Sequence, residues 1–502
     1  MSISTRPQLP ATGTPRADRL VRQFGLVTAP LLLAGLLVLP MPGLSPEAHR
    51  LAGVMAAVVV LWMTEALPLA VTAVLAAAVC VILKIAPAKE VFAPFADPLM
   101  FLFIGSFMLA RAIFLNGLDR RLAFGVLSLR WVGTRPGRIL LAYGAVTAFL
   151  SAWISNTATT AMMLTIGMAI IAFLNDQERA GNVTINARYA TGLMLMTSFA
   201  ASIGGLATPI GTPPNIIGLG FIRELVGVDI AFFRWMMIGV PAAIVLFLWL
   251  FFYLNALCRA GVDEIPHSSA MLNAERQRMG GWTRGQKSTL AAFLVAVALW
   301  VVPGIIALVY GETSAIYRSA VGSMPEGVAA VIGATLLFLL PGDGDRRAIT
   351  WEEAVAIDWG VVLLYGGGFA LGVLSFQTGL AEAVGRGLTG VLPLSGETGL
   401  LIASALVAVV VSETTSNTAS ANMVVPVVIA IARAQGMDPL EPALAATMAA
   451  SLGFMLPVST PCNAIVYGSG YVPLRSMIRY GLLLDIVGVI VIVTLVELLV
   501  PG

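Results

Sequence analysis

Apolar runs of about 20 residues recur along this chain, and they limit its fold more than any other feature. A helix of about 20 apolar residues is long enough to span a bilayer. Hydrophobic residues make up 58% of the 502 residues, and charged residues only 11%. The pattern therefore predicts an all-α polytopic membrane protein with about 11 transmembrane helices, two re-entrant hairpins and two broken helices. The continuous spans are predicted near 24–42, 51–66, 68–86, 97–118, 231–257, 287–311, 325–340, 357–378 and 475–500.

A short polar motif interrupts two of the apolar stretches, which cover residues 137–174 and 395–432. Polar groups at membrane depth usually line a cavity or contact a ligand. Because each half of the chain has one copy, we expect a single site built from two halves. The two copies, called here the first and second Ser-Asn-Thr motifs, are Ser155-Asn156-Thr157-Ala158-Thr159 and Ser416-Asn417-Thr418-Ala419-Ser420.

Arginine placement predicts that both stretches are re-entrant hairpins. Arginines near the N-terminus place it on the cytoplasmic side, because cytoplasmic loops are enriched in Lys and Arg. If 137–174 were a single span, the basic segment 259–287 would lie outside. The enrichment of Lys and Arg on the cytoplasmic side therefore favours a first hairpin that opens to the cytoplasm and a second hairpin that opens to the far side of the membrane. Residues 1–23 are predicted to be a disordered cytoplasmic tail, with a cleaved signal peptide as the alternative.

The two halves repeat the same order of features. The first half, 24–258, has its hairpin at 137–174 and a broken helix at 188–222, and 259–286 is a cytoplasmic linker. In the second half, 287–502, the hairpin is at 395–432 and the broken helix at 441–469. Hairpins that enter from opposite faces make these inverted repeats, an architecture of secondary transporters with the site near the midplane.

Each broken helix has a loop rich in proline and glycine, because proline bars helix continuation and glycine allows the turns. The first break is defined as residues 204–215 and the second break as residues 457–463. Free N–H groups at half-helix starts suit carboxylates, and exposed carbonyls with Ser and Asn oxygens suit Na⁺. Neither motif nor break contains Lys or Arg, so neutral dipoles and bound cations would meet a substrate's charge. Two equivalent motifs imply a ligand with two carboxylates.

Other residue patterns give little support to other functions. Cys80, Cys258 and Cys462 lack metal-ligand or disulfide spacing, and no Walker A lysine or nucleic-acid-binding basic patch is present. An enzyme is therefore not expected, and the charged segment 341–347 is interpreted as a turn. Four acidic residues lie in or near predicted spans. Glu413 is the candidate for tuning a cation site or for protonation, because it lies just before the second Ser-Asn-Thr motif. The other three acids are Glu65, Asp97 and Asp358.

From about residue 24 to 500 the chain resembles the divalent anion–sodium symporter family of di- and tricarboxylate carriers. The order and duplication of several motifs carry the resemblance. They are the two Ser-Asn-Thr motifs, Trp62-Met63-Thr64-Glu65-Ala66-Leu67-Pro68, Gly211-Thr212-Pro213-Pro214-Asn215 and Ser459-Thr460-Pro461-Cys462-Asn463.

The resemblance implies an elevator-type homodimer in a bacterial-type inner (cytoplasmic) membrane. In this family a scaffold domain holds the dimer interface and a transport domain carries the hairpins. The substrate-binding residues that it implies are Asn156, Thr157, Thr212, Ser416, Asn417, Thr418, Thr460 and Pro461. The first implied sodium site comprises Ser151, Ser155, Asn156 and Gly211. The second comprises Ser412, Thr415, Asn417 and Ser459.

The function expected from this resemblance is Na⁺-coupled symport of C4-dicarboxylates such as succinate, malate or fumarate. A sodium-independent dicarboxylate exchanger, or a sulfate or citrate carrier of the same fold, is the alternative. An anion channel and an intramembrane enzyme are the alternatives from other classes. The chain departs from the family pattern at Cys462, where many relatives have proline, and at Ser412 and Ser459, which are often threonine and alanine.

Overall fold

The structure is a computed structural model that describes residues 15–500, except 182, 312 and 390–395. Within these residues the chain is helical and has no strand beyond an isolated bridge between Pro341 and Arg347. The helices up to residue 257 are α1 Pro15–Val38, α2 Pro46–Thr64, α3 Leu69–Ile82, α4 Ala88–Phe92, α5 Pro98–Leu115, α6 Leu118–Leu127, α7 Pro136–Ser151, α8 Asn156–Arg179, α9 Arg188–Gly205, α10 Pro213–Phe221 and α11 Phe232–Leu257. The later ones are α12 Ser268–Arg278, α13 Arg284–Tyr310, α14 Ala315–Ser323, α15 Glu326–Leu339, α16 Trp351–Ala354, α17 Trp359–Gln377, α18 Leu380–Thr389, α19 Gly396–Thr414, α20 Asn417–Ala434, α21 Leu440–Ala449, α22 Pro461–Tyr467 and α23 Leu474–Leu499.

Ten of these helical segments are long and apolar enough to cross a membrane, counted over the described residues. The number rises to 11 if α14 and α15, which meet at a 55° bend, form one span. The protein is therefore an integral membrane protein.

Helix α1 covers the last residues of the segment that was predicted to be an N-terminal tail. Helix α1 begins at Pro15, so residues 15–23 are helical and the prediction of a disordered tail was wrong for them. Proline is well accommodated in the first turn of a helix, and the following Arg, Asp and Leu residues continue it. Residues 1–14 of the predicted tail lie outside the described residues.

Both Ser-Asn-Thr motifs lie where one helix ends and the next begins. Ser155 has a non-helical backbone and caps α8, with its hydroxyl accepting from the Ala158 N–H at 3.4 Å. Ser416 caps α20 in the same way and accepts from the Ala419 N–H at 3.2 Å. Serine followed by asparagine favours such a start, because its oxygen satisfies a free N–H group of the first turn. Each apolar stretch is thus divided into two helices.

The broken helices are each held together by one buried asparagine. The Asn215 amide donates to the carbonyls of Gly205 at 2.9 Å and Thr208 at 2.8 Å. Asn463 donates in the same way across the second break, to Gly453 at 2.9 Å and Leu456 at 3.0 Å. In both places the amide replaces helical hydrogen bonds that the prolines remove.

Helices follow in the same order in the two halves, and the halves pack reciprocally. Helix α5 lies against α15, where a Cβ on Gly105 would come within 2.6 Å of the Ala330 backbone. Helix α17 lies against α3, where a Cβ on Gly367 would come within 2.6 Å of Ala73. Small residues allow such close contact between membrane helices. Helix α9 is central, and all its residues from 192 to 205 are buried.

Several short helices were not predicted from the sequence. The linker 259–286 contains α12, and α6 and α18 follow α5 and α17 in equivalent places. These helices have 10 or 11 residues, too few to give the apolar signal of a span.

Candidate functional site

One cavity of about 650 Å³ brings together the two motifs and the two breaks. All the residues predicted to bind substrate line it. They are Asn156, Thr157, Thr212, Ser416, Asn417, Thr418, Thr460 and Pro461. Five of the predicted sodium ligands also reach the cavity wall, and the others lie behind it. Those in the wall are Ser155, Gly211 and Ser459, together with the shared Asn156 and Asn417 of the motifs.

Helix starts converge on this cavity from both halves. Helices α8 and α20 begin at the two motifs, and α10 begins after Thr212, whose side chain makes no capping bond. Thr460 instead caps α22, with its hydroxyl accepting from the Asn463 N–H at 3.1 Å. Helix starts present N–H groups and partial positive charge, which stabilise an anion. The wall therefore suits a carboxylate without any cation in the motifs.

The first predicted sodium site is a compact group of polar atoms. The end of the Asn156 amide that faces α7 lies 2.7 Å from Ser151 Oγ and 3.1 Å from the Gly211 carbonyl oxygen. The Ala201 carbonyl oxygen is 3.2 Å from the same amide atom. With the amide oxygen turned to this end, four oxygen atoms lie close together, and oxygen atoms are the ligands that a hard cation such as Na⁺ takes. With the nitrogen turned there, the amide donates to these oxygens instead. Ser155 takes part only as the helix cap.

The second predicted sodium site is built on Ser412 and Asn417. Ser412 Oγ lies 2.7 Å from Asn417 Oδ1 and 2.8 Å from the Ala450 carbonyl oxygen, and its one hydrogen can be donated to either. Thr415 instead directs its hydroxyl to the Val411 carbonyl of its own helix, at 2.7 Å. The Ser459 hydroxyl donates to the Glu413 carboxylate at 2.5 Å. The two halves therefore share the Ser–Asn pair, while the remaining predicted ligands of this site have other partners.

Glu413 is a buried anchor for the second break. Its carboxylate accepts from the backbone N–H groups of Met455 at 2.7 Å and Leu456 at 3.1 Å, in addition to the Ser459 hydroxyl. Its neighbour Asp485, on α23, is a second buried carboxyl group that lies against Glu413. Glu413 thus holds the loop that carries Ser459.

The other acids selected from the sequence have structural positions. Asp97 caps α5 through the Leu99 N–H at 2.8 Å and forms an ion pair with Arg223. Glu65 ends α2 in a left-handed conformation, and Asp358 caps α17 at the edge of the cavity.

The charged segment 341–347 forms a turn, as predicted. The Gly342 N–H donates to the Arg346 carbonyl at 2.7 Å. The Gly285 N–H donates to Asp343 Oδ1 at 3.1 Å, and this hydrogen bond lowers the pKa of the Asp343 carboxyl below its ordinary value. The turn is thereby attached to the start of α13.

Two polar residues of the cavity wall were not singled out from the sequence. Arg111 lies in an apolar helix, four residues before its end, and its position inside a predicted span was the signal that could have found it. Ser202, near the end of α9, also lines the wall. Cys462 lies 2% exposed beside the hydroxyl groups of Ser202 and Thr160, so the position that differs from the family pattern contacts the first half.

In a comparison with known sequences, a family model and individual relatives agree with each other. The model of a protein family described as the sodium:sulfate symporter transmembrane region matches residues 20–500. The chain is 33% identical to the sodium-dependent dicarboxylate transporter SdcS of Staphylococcus saprophyticus, over 95% of this chain and 91% of that relative. It is also 33% identical to SdcS of Staphylococcus aureus strain USA300, over 88% of this chain and 84% of that relative.

Solved structures of transporters have a similar fold. The YdaH transporter of Alcanivorax borkumensis matches with a TM-score of 0.53 and 12% identity, over 96% of this chain and 98% of that chain. MtrF of Neisseria gonorrhoeae matches with the same TM-score and identity, over 96% of each chain. At this level of identity the comparison concerns the fold alone.

Proposed function

The chain belongs to the divalent anion–sodium symporter family, and from this premise we propose that it carries C4-dicarboxylates into the cell together with Na⁺. Succinate, malate and fumarate are the proposed substrates, and the proposed location is the cytoplasmic membrane with the N-terminus inside. The observation that carries the proposal is the meeting of both Ser-Asn-Thr motifs in one cavity. Two equivalent motifs fit one ligand with a carboxylate at each end.

In this proposal each motif binds one carboxylate. Asn156 and Thr157 hold the first, and Asn417 and Thr418 hold the second, with the starts of α8 and α20 directed at the anion. Thr212, Thr460 and Pro461 complete the wall. Amide and hydroxyl groups orient the substrate, while the cations supply most of the opposite charge.

Sodium is a co-substrate in this scheme. The proposed sites share Asn156 and Asn417 with the proposed carboxylate contacts, so a bound cation would fix the amide that the substrate needs. Binding of either ligand then raises the affinity for the other, because coupling between two sites is reciprocal. The oxygen-rich surroundings of Asn156 support this assignment for the first site.

The transport cycle is proposed to be an elevator motion in a homodimer. The reciprocal packing of α5 on α15 and α17 on α3 supports two structurally related halves. In inverted repeats of this kind, alternating access arises when one bundle moves against the other around the bound substrate.

Uptake by purified protein in proteoliposomes tests the proposal. Asn156→Ala and Asn417→Ala should each reduce Na⁺-driven succinate uptake at least about 100-fold, because each removes a contact for both substrate and cation. Asn273→Ala is the matched control, since Asn273 is an exposed asparagine on α12. Wild-type rates in either motif variant, with normal thermal unfolding, would show that the motifs are not the site.

Two further conditions distinguish the alternatives. Replacement of Na⁺ by choline should stop concentrative uptake, whereas undiminished uptake would indicate an exchanger or proton coupling. A thermal-shift series with succinate, citrate and sulfate, each with and without Na⁺, identifies the preferred anion, because stabilisation rises with occupancy. The family description names sulfate, so preferential stabilisation by sulfate would replace the dicarboxylate assignment.

A further inference from the structure

We propose that Arg111 forms a second anion-binding station in the cavity, which holds one carboxylate of the substrate before the substrate reaches the two motifs. The inference rests on the proposed function for the identity of the anion. It adds a charged contact to a site that is otherwise formed by neutral groups and cations. The ligand class is a small dicarboxylate.

The position of Arg111 follows from the helical repeat of α5. Phe107, Ala110, Arg111 and Phe114 all line the cavity, and their spacing places them on one face of the helix. The two phenylalanines lie about one turn before and one turn after Arg111 on this face. Apolar neighbours lower the effective dielectric constant around a charge and thereby strengthen its attraction for an anion.

The hydrogen bonding of Arg111 is incomplete without a ligand. Its Nε atom is buried and has no hydrogen-bond partner, and no ion pair of its guanidinium is found among the described residues. Buried polar groups in proteins are almost always paired, so an unpaired donor requires an explanation. A guanidinium binds a carboxylate through two parallel N–H donors, and a substrate carboxylate would supply the absent acceptor.

Charge in the rest of the wall supports the same conclusion. Among the described residues that line the cavity, Arg111 is the one cation and Asp358 the one anion. Asp358 Oδ1 accepts from the Val361 N–H at 3.3 Å, as the cap of α17, and forms no ion pair with Arg111. The motifs and breaks bring no further charge, so Arg111 supplies the formal positive charge of the wall.

A structural role is the alternative. Long arginine side chains near a helix end can extend their charge to the membrane surface while their stem covers apolar groups. Arg111 lies four residues before the end of α5 at Leu115. That role predicts a change in stability on substitution but no change in apparent affinity for the anion or in its response to ionic strength.

Succinate uptake into proteoliposomes at fixed Na⁺ concentration tests the station. Arg111→Gln should raise the KM for succinate on the order of 10-fold, leave the maximum rate at saturating succinate near wild type, and weaken the dependence of KM on ionic strength. Arg111→Lys should restore most of the affinity. Arg130→Gln, a change at an exposed arginine, is the control for net charge. An unchanged KM and salt dependence in Arg111→Gln, or a lower maximum rate at unchanged KM, would overturn the proposal.

A second variant keeps Arg111 and tests whether its positive charge attracts the anion. Phe114 is 47% exposed and lies one helical turn from Arg111, so Phe114→Glu would put a carboxylate beside the guanidinium. Phe114→Glu should raise the KM clearly more than Phe114→Gln, which removes the same apolar ring without adding a charge. Equal KM values for Phe114→Glu and Phe114→Gln would contradict the station.

The proposed substrate and the proposed role of Arg111 can be refuted independently of each other. If the wild-type protein takes up no dicarboxylate, the proposed function fails. The station is then tested with the anion, sulfate or citrate, that stabilises the wild type in a thermal-shift assay. A smaller shift in Arg111→Gln would support the station, and an equal shift would refute it.

Discussion

At the residue scale, the duplicated motifs identified the proposed binding residues in the sequence, whereas Arg111 has no duplicate and was not selected. Asn156 and Asn417 stand in matching motifs, so two weak signals supported each other before any geometry was known. Arg111 has no counterpart among the cavity residues of the second half. Its contribution depends on which face of α5 meets the cavity, and that face is set by tertiary packing. The partners of Thr415 and Ser459 were unpredictable for the same reason.

A hydrogen bond between the halves makes a stability prediction at this scale. Ser198 on α9 donates to Asn463 Oδ1 at 2.6 Å, and both residues are fully buried. Ser198→Ala would leave that oxygen without a donor, at a cost of about 1–3 kcal/mol. We expect a lower temperature of thermal unfolding in detergent, whereas Ser323→Ala, an exposed control on α14, should unfold as the wild type does. Unchanged unfolding of Ser198→Ala would show that the bond contributes nothing.

At the scale of single elements, the sequence predicted where helices break but not all the helices themselves. Proline and glycine mark the two breaks directly, because their effects on the backbone are local. The side-chain amides of Asn215 and Asn463 each donate to two backbone carbonyls, 10 and 7 residues earlier in the chain. A local sequence pattern does not reveal such hydrogen bonds. The short helix α12 was missed because its 11 residues are mostly polar and carry no span signal.

The second break makes a prediction about sodium. Glu413→Gln replaces a carboxylate that accepts three hydrogen bonds by an amide with one acceptor oxygen, so the loop that carries Ser459 loses part of its anchor. Loss of hydrogen bonds to a buried charged group is worth about 1.5–3 kcal/mol. We therefore expect the Na⁺ concentration for half-maximal uptake to rise about 10-fold or more.

Glu397→Gln is the matched control for Glu413→Gln, because Glu397 is an exposed glutamate in the first turn of the same helix, α19. Its half-maximal Na⁺ concentration should equal that of the wild type. If Glu413→Gln kept wild-type sodium dependence as well, the second break would not be part of a cation site.

At the scale of the whole molecule, the all-helical membrane fold followed from hydropathy, while the arrangement of the halves needed the structure. The sequence matched the two halves residue by residue, but it did not show that α5 packs on α15 and α17 on α3. This packing between the two halves depends on close contacts at Gly105 and Gly367. A glycine in a membrane helix permits close contact, but it does not show which other helix makes that contact. The inverted sense of the repeats remains a prediction from the positive-inside bias.

The sidedness of the hairpins gives the prediction at this scale. Both motif serines line one cavity, so hairpins that enter from opposite faces must end at the same depth inside the membrane.

In a background without Cys80, Cys258 and Cys462, single cysteines are placed at the exposed ends of the hairpins and treated with an impermeant maleimide on intact cells. The positions are Arg135 and Ala180 for the first hairpin, and Thr398 and Ala434 for the second. Both second-hairpin positions should react from outside, and both first-hairpin positions only after permeabilisation. The cysteine-free background should not react at all, and reaction of the two ends of one hairpin from opposite faces would show that this stretch is a continuous span.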